Sequence, residues 1–402
     1  MEERLTKLPD AICEATIPET FPVSTIASAD CCLLKVVLND SRYKKALRPG
    51  PRAVLGCIAH DLAEKAIWWS RSGRGETSVE LERILERLLL RARRQLEEDP
   101  CTAPYADLPR TMSPLMWARK RRALLDMAQE SADRARWYKG EQGAKGQEMF
   151  RLEKLRRDGL WVEVPIKVPE LRLRGRMDVL ERNGEVNKIT DIKSGRVEDE
   201  NGEIAETILR QIRLYGLMAK YVDPSMNIAL AINDGIERPV QFDAEIREEM
   251  LAWLRSRTDA LPSGTNLSSE NLAKVGPDCR WCDLRHRCPS YLRDAPVLWG
   301  RDLNWRLPLD VWGTAERLDV KEDGLVDLTL RDSGGRRVKV FRLRDFHVAH
   351  VGTGDHIWLF DLLAFATELR GSIWRQPLNF YELGEVDNDR AWSLQVFPTT
   401  SN

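Results

Sequence analysis

The sequence predicts an α/β domain carrying a helical insertion, followed by a smaller C-terminal β-domain. Three features predict it. Strand-like alternation and helical periodicity succeed one another through residues 159–258, a long amphipathic stretch at 76–158 precedes them, and short alternating runs separated by turns fill the chain from about residue 295. A chain of 402 residues exceeds one ordinary core, and the boundaries expected are 1–294 and 295–402. Hydrophobic and charged contents of 43% and 31% describe a globular protein, and 62 basic against 63 acidic residues give no electrostatic pointer to a partner.

The opening "MEERLTKLPDAICEATIPETF" lacks the basic start and unbroken apolar run of a signal peptide, and no segment approaches the roughly 18 apolar residues of a membrane span. A cytoplasmic protein without a membrane partner is expected. In that reducing compartment, clustered cysteines are read as metal ligands and scattered ones (Cys13, Cys57 and Cys101) as core filler.

Along the chain, "PVSTIASADCCLLKVVL" (22–38) reads as a short helix capped by Ser24 or Thr25. In "AVLGCIAHDLAEKAIWW" the residues Gly56, His60 and Glu64 recur every four positions and share a helix face. "TSVELERILERLLLRARRQLEE" opens with a Thr77-x-x-Glu80 capping box and begins the helical insertion, which continues through the basic "ARKRRALLDMAQESADRARWYKG". In "WVEVPIKV", Val162, Val164, Ile166 and Val168 alternate with polar positions and proline, the two-residue period of a strand. "LRLRGRMDVLE" and "VNKITDIKS" continue as strands joined by the turn "RNGE". "IAETILRQIRLYGLMAKY" and "AEIREEMLAWLRSRTDAL" are helices, with strands "NIALAIND" and "RPVQFD" between them. The C-terminal runs read as a small β-barrel or sandwich.

Asp191 and Lys193, two apart on a strand, leave the same face while Ile192 enters the core, and Asp178 on the neighbouring strand can reach that face. Two carboxylates repel each other alone but become favourable ligands around Mg²⁺ or Mn²⁺, and a lysine beside them would orient a nucleophile and stabilise charge in phosphoryl transfer. Gln211 and Tyr215, four apart on the next helix, are expected to touch that lysine or a phosphate. Asp-x-Lys recurs at Asp319 and Lys321, so the ordered context distinguishes the first copy.

"PDCRWCDLRHRCP" supplies Cys279, Cys282 and Cys288. A fourth ligand is either His286, giving a local zinc site, or a distant cysteine, giving the all-thiolate set of an iron-sulfur cluster.

The order Gly56-x-x-x-His60, Gly175-x-x-Asp178, Asp191-x-Lys193 and Gln211-x-x-x-Tyr215 resembles the RecB-type branch of the PD-(D/E)XK nuclease superfamily. The resemblance covers roughly residues 20–292 and implies a restriction-endonuclease-like core. It further implies that His60, Asp178, Asp191 and the Ile192 carbonyl bind metal while Lys193 assists the attacking water. Glu64 and Glu163 stand beside this set, with solvent-facing charge as the competing reading. The branch that includes the AddB nuclease and the CRISPR spacer-acquisition exonucleases uses one N-terminal and three C-terminal cysteines. This implies Cys32, or the adjacent Cys31, as the fourth ligand of a 4Fe-4S cluster that staples residues near 32 to residues near 288.

The activity expected is a Mg²⁺- or Mn²⁺-dependent deoxyribonuclease acting on single-stranded ends or flaps in recombination, repair or anti-phage defence. The competing class is a nucleic-acid-binding subunit with a dormant site. By the resemblance a helicase is an expected partner, since the chain has no Gly-x-x-x-x-Gly-Lys-Ser/Thr phosphate loop. The C-terminal runs resemble an OB-fold, with Trp305, Trp312, Phe341, Arg342 and Trp358 as stacking or docking candidates.

Overall fold

The computed structural model describes residues 11–39, 51–71, 77–97, 106–111, 114–137, most of 159–298, most of 308–363, 380–382 and 395–399. Strands β1 (Glu14–Thr16) and β2 (Phe21–Pro22) and the short helices α1 (Val23–Ile26) and α2 (Leu33–Leu38) lead into three long helices, α3 (Pro51–Arg71), α4 (Thr77–Glu97) and α5 (Pro114–Trp137). Then come β3 (Gly159–Val168), β4 (Leu173–Asn183), β5 (Val186–Ile192), α6 (Glu206–Val222), β6 (Asn227–Asn233) and β7 (Glu237–Val240). Next are α7 (Ala244–Thr258), β8 (Asn266–Ser268), α8 (Ser269–Leu272) and α9 (Pro289–Leu298).

β3, β4 and β5 form an antiparallel meander, with Gly184 at φ 60° supplying the positive angle that the tight β4–β5 turn requires. β5 then pairs in parallel with β6 across the crossover helix α6, β7 closes that edge, and β2 adds to the start of β4. Both faces of this sheet are covered. On one, α6 and α7 pack through Ile212, Met218 and Leu254 against Met177, Leu180 and Ile189. On the other, α3, α4 and α5 form a cluster around Leu62, Leu85 and Ala128 that closes on Leu160, Val179 and Ile192. The helices expected as an insertion are therefore a layer of the domain, because the stripe that reads as amphipathic in isolation is the cover of a sheet face.

Two local readings change. The single helix expected over 22–38 divides at residues 27–32, and neither Ser24 nor Thr25 caps it: Pro22 precedes α1. Asp30 in the break is held by Arg210 at 3.1 Å, Trp253 Nε1 at 3.1 Å and Arg257 at 2.6 Å. Glu80 pairs with Arg83 at 3.5 Å and Arg87 at 3.6 Å. Finally, Val162, Val164, Ile166 and Val168 do not share one face. Val164, Ile166 and Val168 pack on the α6 side, whereas Val162 packs on the α3 side. The same reversal occurs in β4, where Met177 and Leu180 face α6 but Val179 faces α3. Both changes fall where the ladder lacks its rung between Glu163 and Asp178, and Glu163 adopts φ 53°.

The C-terminal strands are β9 (Pro308–Val320), β10 (Leu325–Arg331), β11 (Arg337–Arg344), β12 (His356–Leu363), β13 (Phe380–Glu382) and β14 (Gln395–Thr399). Where a small OB-like barrel was expected, their pairing gives the order β13-β11-β10-β9-β12-β14, a six-stranded sheet that no pairing closes among the described residues. Trp312 is buried and stacks on Trp358 with centroids 4.7 Å apart, so this pair belongs to the packing of the sheet. Trp305 and the side chains of Phe341 and Arg342 lie outside the described residues. A buried ion pair, Arg285 to Asp310 at 2.6 Å and 3.2 Å, joins the cysteine-bearing segment to β9. No described helix is long and apolar enough to cross a membrane.

Candidate active site

Asp191 is the penultimate residue of β5 and only 2% exposed. Its Oδ2 lies 2.8 Å from Lys193 Nζ without a well-aligned hydrogen-bond donor, and its Oδ1 accepts from Gln211 Nε2 at 3.0 Å. Gln211 Oε1 in turn accepts from Lys193 Nζ at 3.0 Å. The three side chains form a closed triangle. Lys193 N donates to Asn233 O at 2.8 Å, extending the β5–β6 pairing one residue and holding the lysine at the C-terminal end of β5.

On β4, Asp178 Oδ2 accepts from Ile192 N at 2.7 Å, and Oδ1 is 3.6 Å from His60 Nδ1 of α3. Across the missing rung, Glu163 brings a second carboxylate: ligand atoms of His60, Glu163 and Asp178 all lie within 4.8 Å of one another. The paired reversals in β3 and β4 turn Val162, Glu163, Asp178 and Val179 together toward α3, where they line a small pocket with His60 and Glu64. Burial, then the neighbouring Asp191 charge, pushes the Asp178 carboxyl well above the ordinary carboxylate range. Burial lowers the His60 value, favouring the neutral imidazole that ligates metals. One imidazole and two crowded carboxylates, one of them short of compensating positive charge, are a donor set that fits a hard divalent cation.

The structure thus distributes the expected metal ligands over two neighbouring groups. His60 and Asp178 come together with Glu163, whereas the Asp191 carboxylate is occupied by Lys193 and Gln211 and lies outside that set. Ile192 contributes its N–H to Asp178 and its side chain to the helical core. Gln211 touches the lysine as expected. Tyr215 does not: it is 5% exposed, and its hydroxyl accepts from Arg176 N at 3.3 Å. Its ring explains Gly175, where an added Cβ would sit 2.6 Å from Tyr215 Cε1. Glu163 is the residue the sequence underweighted. Counting back along two antiparallel strands from Asp178 would have placed it opposite, but its departure from alternation has no local signal.

Cys32, Cys279, Cys282 and Cys288 line one pocket, and the charge of Cys32 bears on each of the other three. Among the described residues, no three of these sulfurs lie within 4.8 Å of one another. Burial pushes the Cys282 thiol up to about 12 and the Cys288 thiol up to about 11. The His286 side chain and Cys101 lie outside the described residues. Cys13 and Cys57 are exposed, not core filler.

A family model for the PD-(D/E)XK nuclease superfamily matches residues 22–289, from β2 to the start of α9. The chain belongs to the PD-(D/E)XK nuclease superfamily. Membership points to a metal-dependent nuclease, and the tripeptide Asp191-Ile192-Lys193 lies within the matched region. The matched region ends before β9, so the C-terminal sheet of this PD-(D/E)XK protein stands outside it. No curated protein matches the sequence.

Proposed function

We propose that the chain hydrolyses phosphodiester bonds of DNA with Mg²⁺ or Mn²⁺, acting on single-stranded ends or flaps. The observation that carries this reading is the Lys193 ammonium held between Asp191 and Gln211 at the sheet end where His60, Glu163 and Asp178 converge. His60, Glu163 and Asp178 would hold the cation, with Asp191 and the Ile192 carbonyl, both expected as ligands by the family resemblance, at the margin of that group. A divalent ion bound there supplies Lewis acidity and lowers the cost of deprotonating water. Lys193 donates to Gln211 and is ion-paired with Asp191, so its ammonium would orient the attacking water or neutralise a phosphate oxygen. Gln211 fixes that ammonium, and Tyr215 acts from below, wedged against Gly175.

The test is cleavage of labelled single- and double-stranded DNA with Mn²⁺ or EDTA. Lys193→Ala and Asp191→Ala should abolish cutting while leaving the fold and DNA binding largely intact. Wild-type cleavage by Asp191→Ala would refute the assignment. Salt-sensitive binding without cleavage under any metal would favour the dormant binding subunit instead.

We further propose a second component, a 4Fe-4S cluster on Cys279, Cys282, Cys288 and either Cys32 or the adjacent Cys31, which lines the same pocket. The C-x2-C-x5-C spacing of Cys279, Cys282 and Cys288 and the pocket they share with Cys32 support this reading. A brown, broadly absorbing anaerobic preparation is expected. A colourless one with stoichiometric zinc would restore the His286 alternative. With no phosphate loop in the chain, ATP-driven unwinding would come from a partner helicase.

A further inference from the structure

The sheet face that carries Glu163 and Asp178 continues beyond the pocket onto two further rungs. Pro165 lies opposite Arg176, and Lys167 opposite Arg174. In this stretch Val164, Ile166, Val168, Leu173 and Met177 fill the α6 side, so alternation directs Lys167, Arg174 and Arg176 to the other side, that of the metal group. Lys167 and Arg176 are exposed and Arg174 is half-buried. Arg176 Nη1 reaches Glu163 Oε2 at 3.3 Å, and Arg174 Nη1 reaches Thr20 Oγ1 at 3.4 Å.

These cations have little to do for stability, because exposed ion pairs of this kind are worth about 0–1 kcal/mol. Their arrangement has a different use. Rungs on one face repeat every two residues, about 6.8 Å, a step comparable to the separation of neighbouring phosphates along an extended nucleic-acid strand. Positive charge thus begins one rung from the carboxylates and extends to the next, in a chain whose overall charge is −1.

We infer that Lys167, Arg174 and Arg176 form a phosphate track that positions the substrate strand against the His60–Glu163–Asp178 group. The inference rests on the nuclease reading and adds the path of the strand. The three are positioning residues: they grip phosphates adjacent to the scissile one and leave base identity unread, so binding along the track is independent of sequence.

The test uses the full chain with a fluorescent single-stranded oligonucleotide in EDTA, so that binding is read without turnover, over a range of salt. For single strands the slope of log affinity against log salt falls by about 0.7 for each phosphate contact removed. A Lys167→Gln, Arg174→Gln, Arg176→Gln triple variant should therefore lose about 2 from the slope. In Mn²⁺ its defect should appear in KM more than in kcat. Arg317→Gln, an exposed arginine on β9, should leave the slope unchanged. If the triple variant melts early, Arg176→Gln alone should still lose about 0.7. A wild-type slope in either strip variant overturns the track even where the protein cuts DNA. A protein that never cuts, yet whose salt slope falls in the strip variants, would retain the track and lose the hydrolase reading.

Discussion

Glu163 and Asp178 face each other across the missing rung of the β3–β4 ladder, with Glu163 in the left-handed region at φ 53°. That conformation costs a residue with a side chain about 1–2 kcal/mol, and it is what turns the carboxylate toward His60. Asparagine tolerates this backbone, so Glu163→Asn should fold normally while losing one acidic oxygen donor. Apparent Mn²⁺ affinity, followed by calorimetric titration, should fall by at least the roughly 10–100-fold seen when outer-shell partners are removed. Unchanged affinity would exclude Glu163 from the cation group.

Gly175 accommodates the Tyr215 ring, and a methyl group there meets both Cε1 and the hydroxyl. Gly175→Ala should destabilise the domain by about 1–3 kcal/mol, the range for overpacked cores. Urea denaturation measures this, and adding Tyr215→Leu should recover part of the loss. A Gly175→Ala protein as stable as wild type would show that the ring has room to move.

Arg285 and Asp310 are 3% and 1% exposed, and Tyr291 Oη adds a 2.5 Å hydrogen bond to Asp310 Oδ2. Removing one partner leaves a buried charge uncompensated. Asp310→Ala should therefore cost about 3–5 kcal/mol, whereas the Arg285→Met, Asp310→Leu double variant should recover most of it, since an apolar pair replaces the ions without orphaning either. Denaturant melts of both variants decide this. Equal loss in the two would mean that shape, not charge, is what the junction requires.

The raised Cys282 and Cys288 thiols give a pH signature in metal-free protein. Burial favours the neutral form, so at pH 8 both remain protonated and poor nucleophiles, whereas exposed Cys13 and Cys57 should alkylate first with iodoacetamide. As pH rises to about 11 to 12, reactivity should appear at both Cys288 and Cys282. Mass spectrometry of a labelling time course reads the order. Early modification of Cys282 at pH 8 would contradict its burial.

Much of the nuclease core was legible from period alone. The meander β3–β4–β5, the crossover helix α6 and the shared face of Asp191 and Lys193 follow from alternation, the Asn-Gly turn and the four-residue spacing from Gln211 to Tyr215. The helices at 77–97 and 114–137 were legible too, but not their place as a layer, because an amphipathic stripe says that a face is buried and not against what. The pairing order of the described C-terminal strands was likewise hidden, since alternation describes strands one at a time and pairing is a property of the whole sheet.

By itself the sequence determined the chemical inventory of this protein: an ordered set of acids, a lysine and a histidine, the thiols of Cys31 and Cys32 far from those of Cys279, Cys282 and Cys288, and the elements that bear them. Tertiary structure alone decided the partnerships. It gave Asp191 to Lys193 and Gln211, placed Glu163 with His60 and Asp178, and joined the cysteine segment to the C-terminal sheet through Arg285 and Asp310. The reason is physical. Local periodicity fixes which way a side chain leaves its own strand or helix, but a left-handed kink and the meeting of distant segments are selected by the packing of both faces at once.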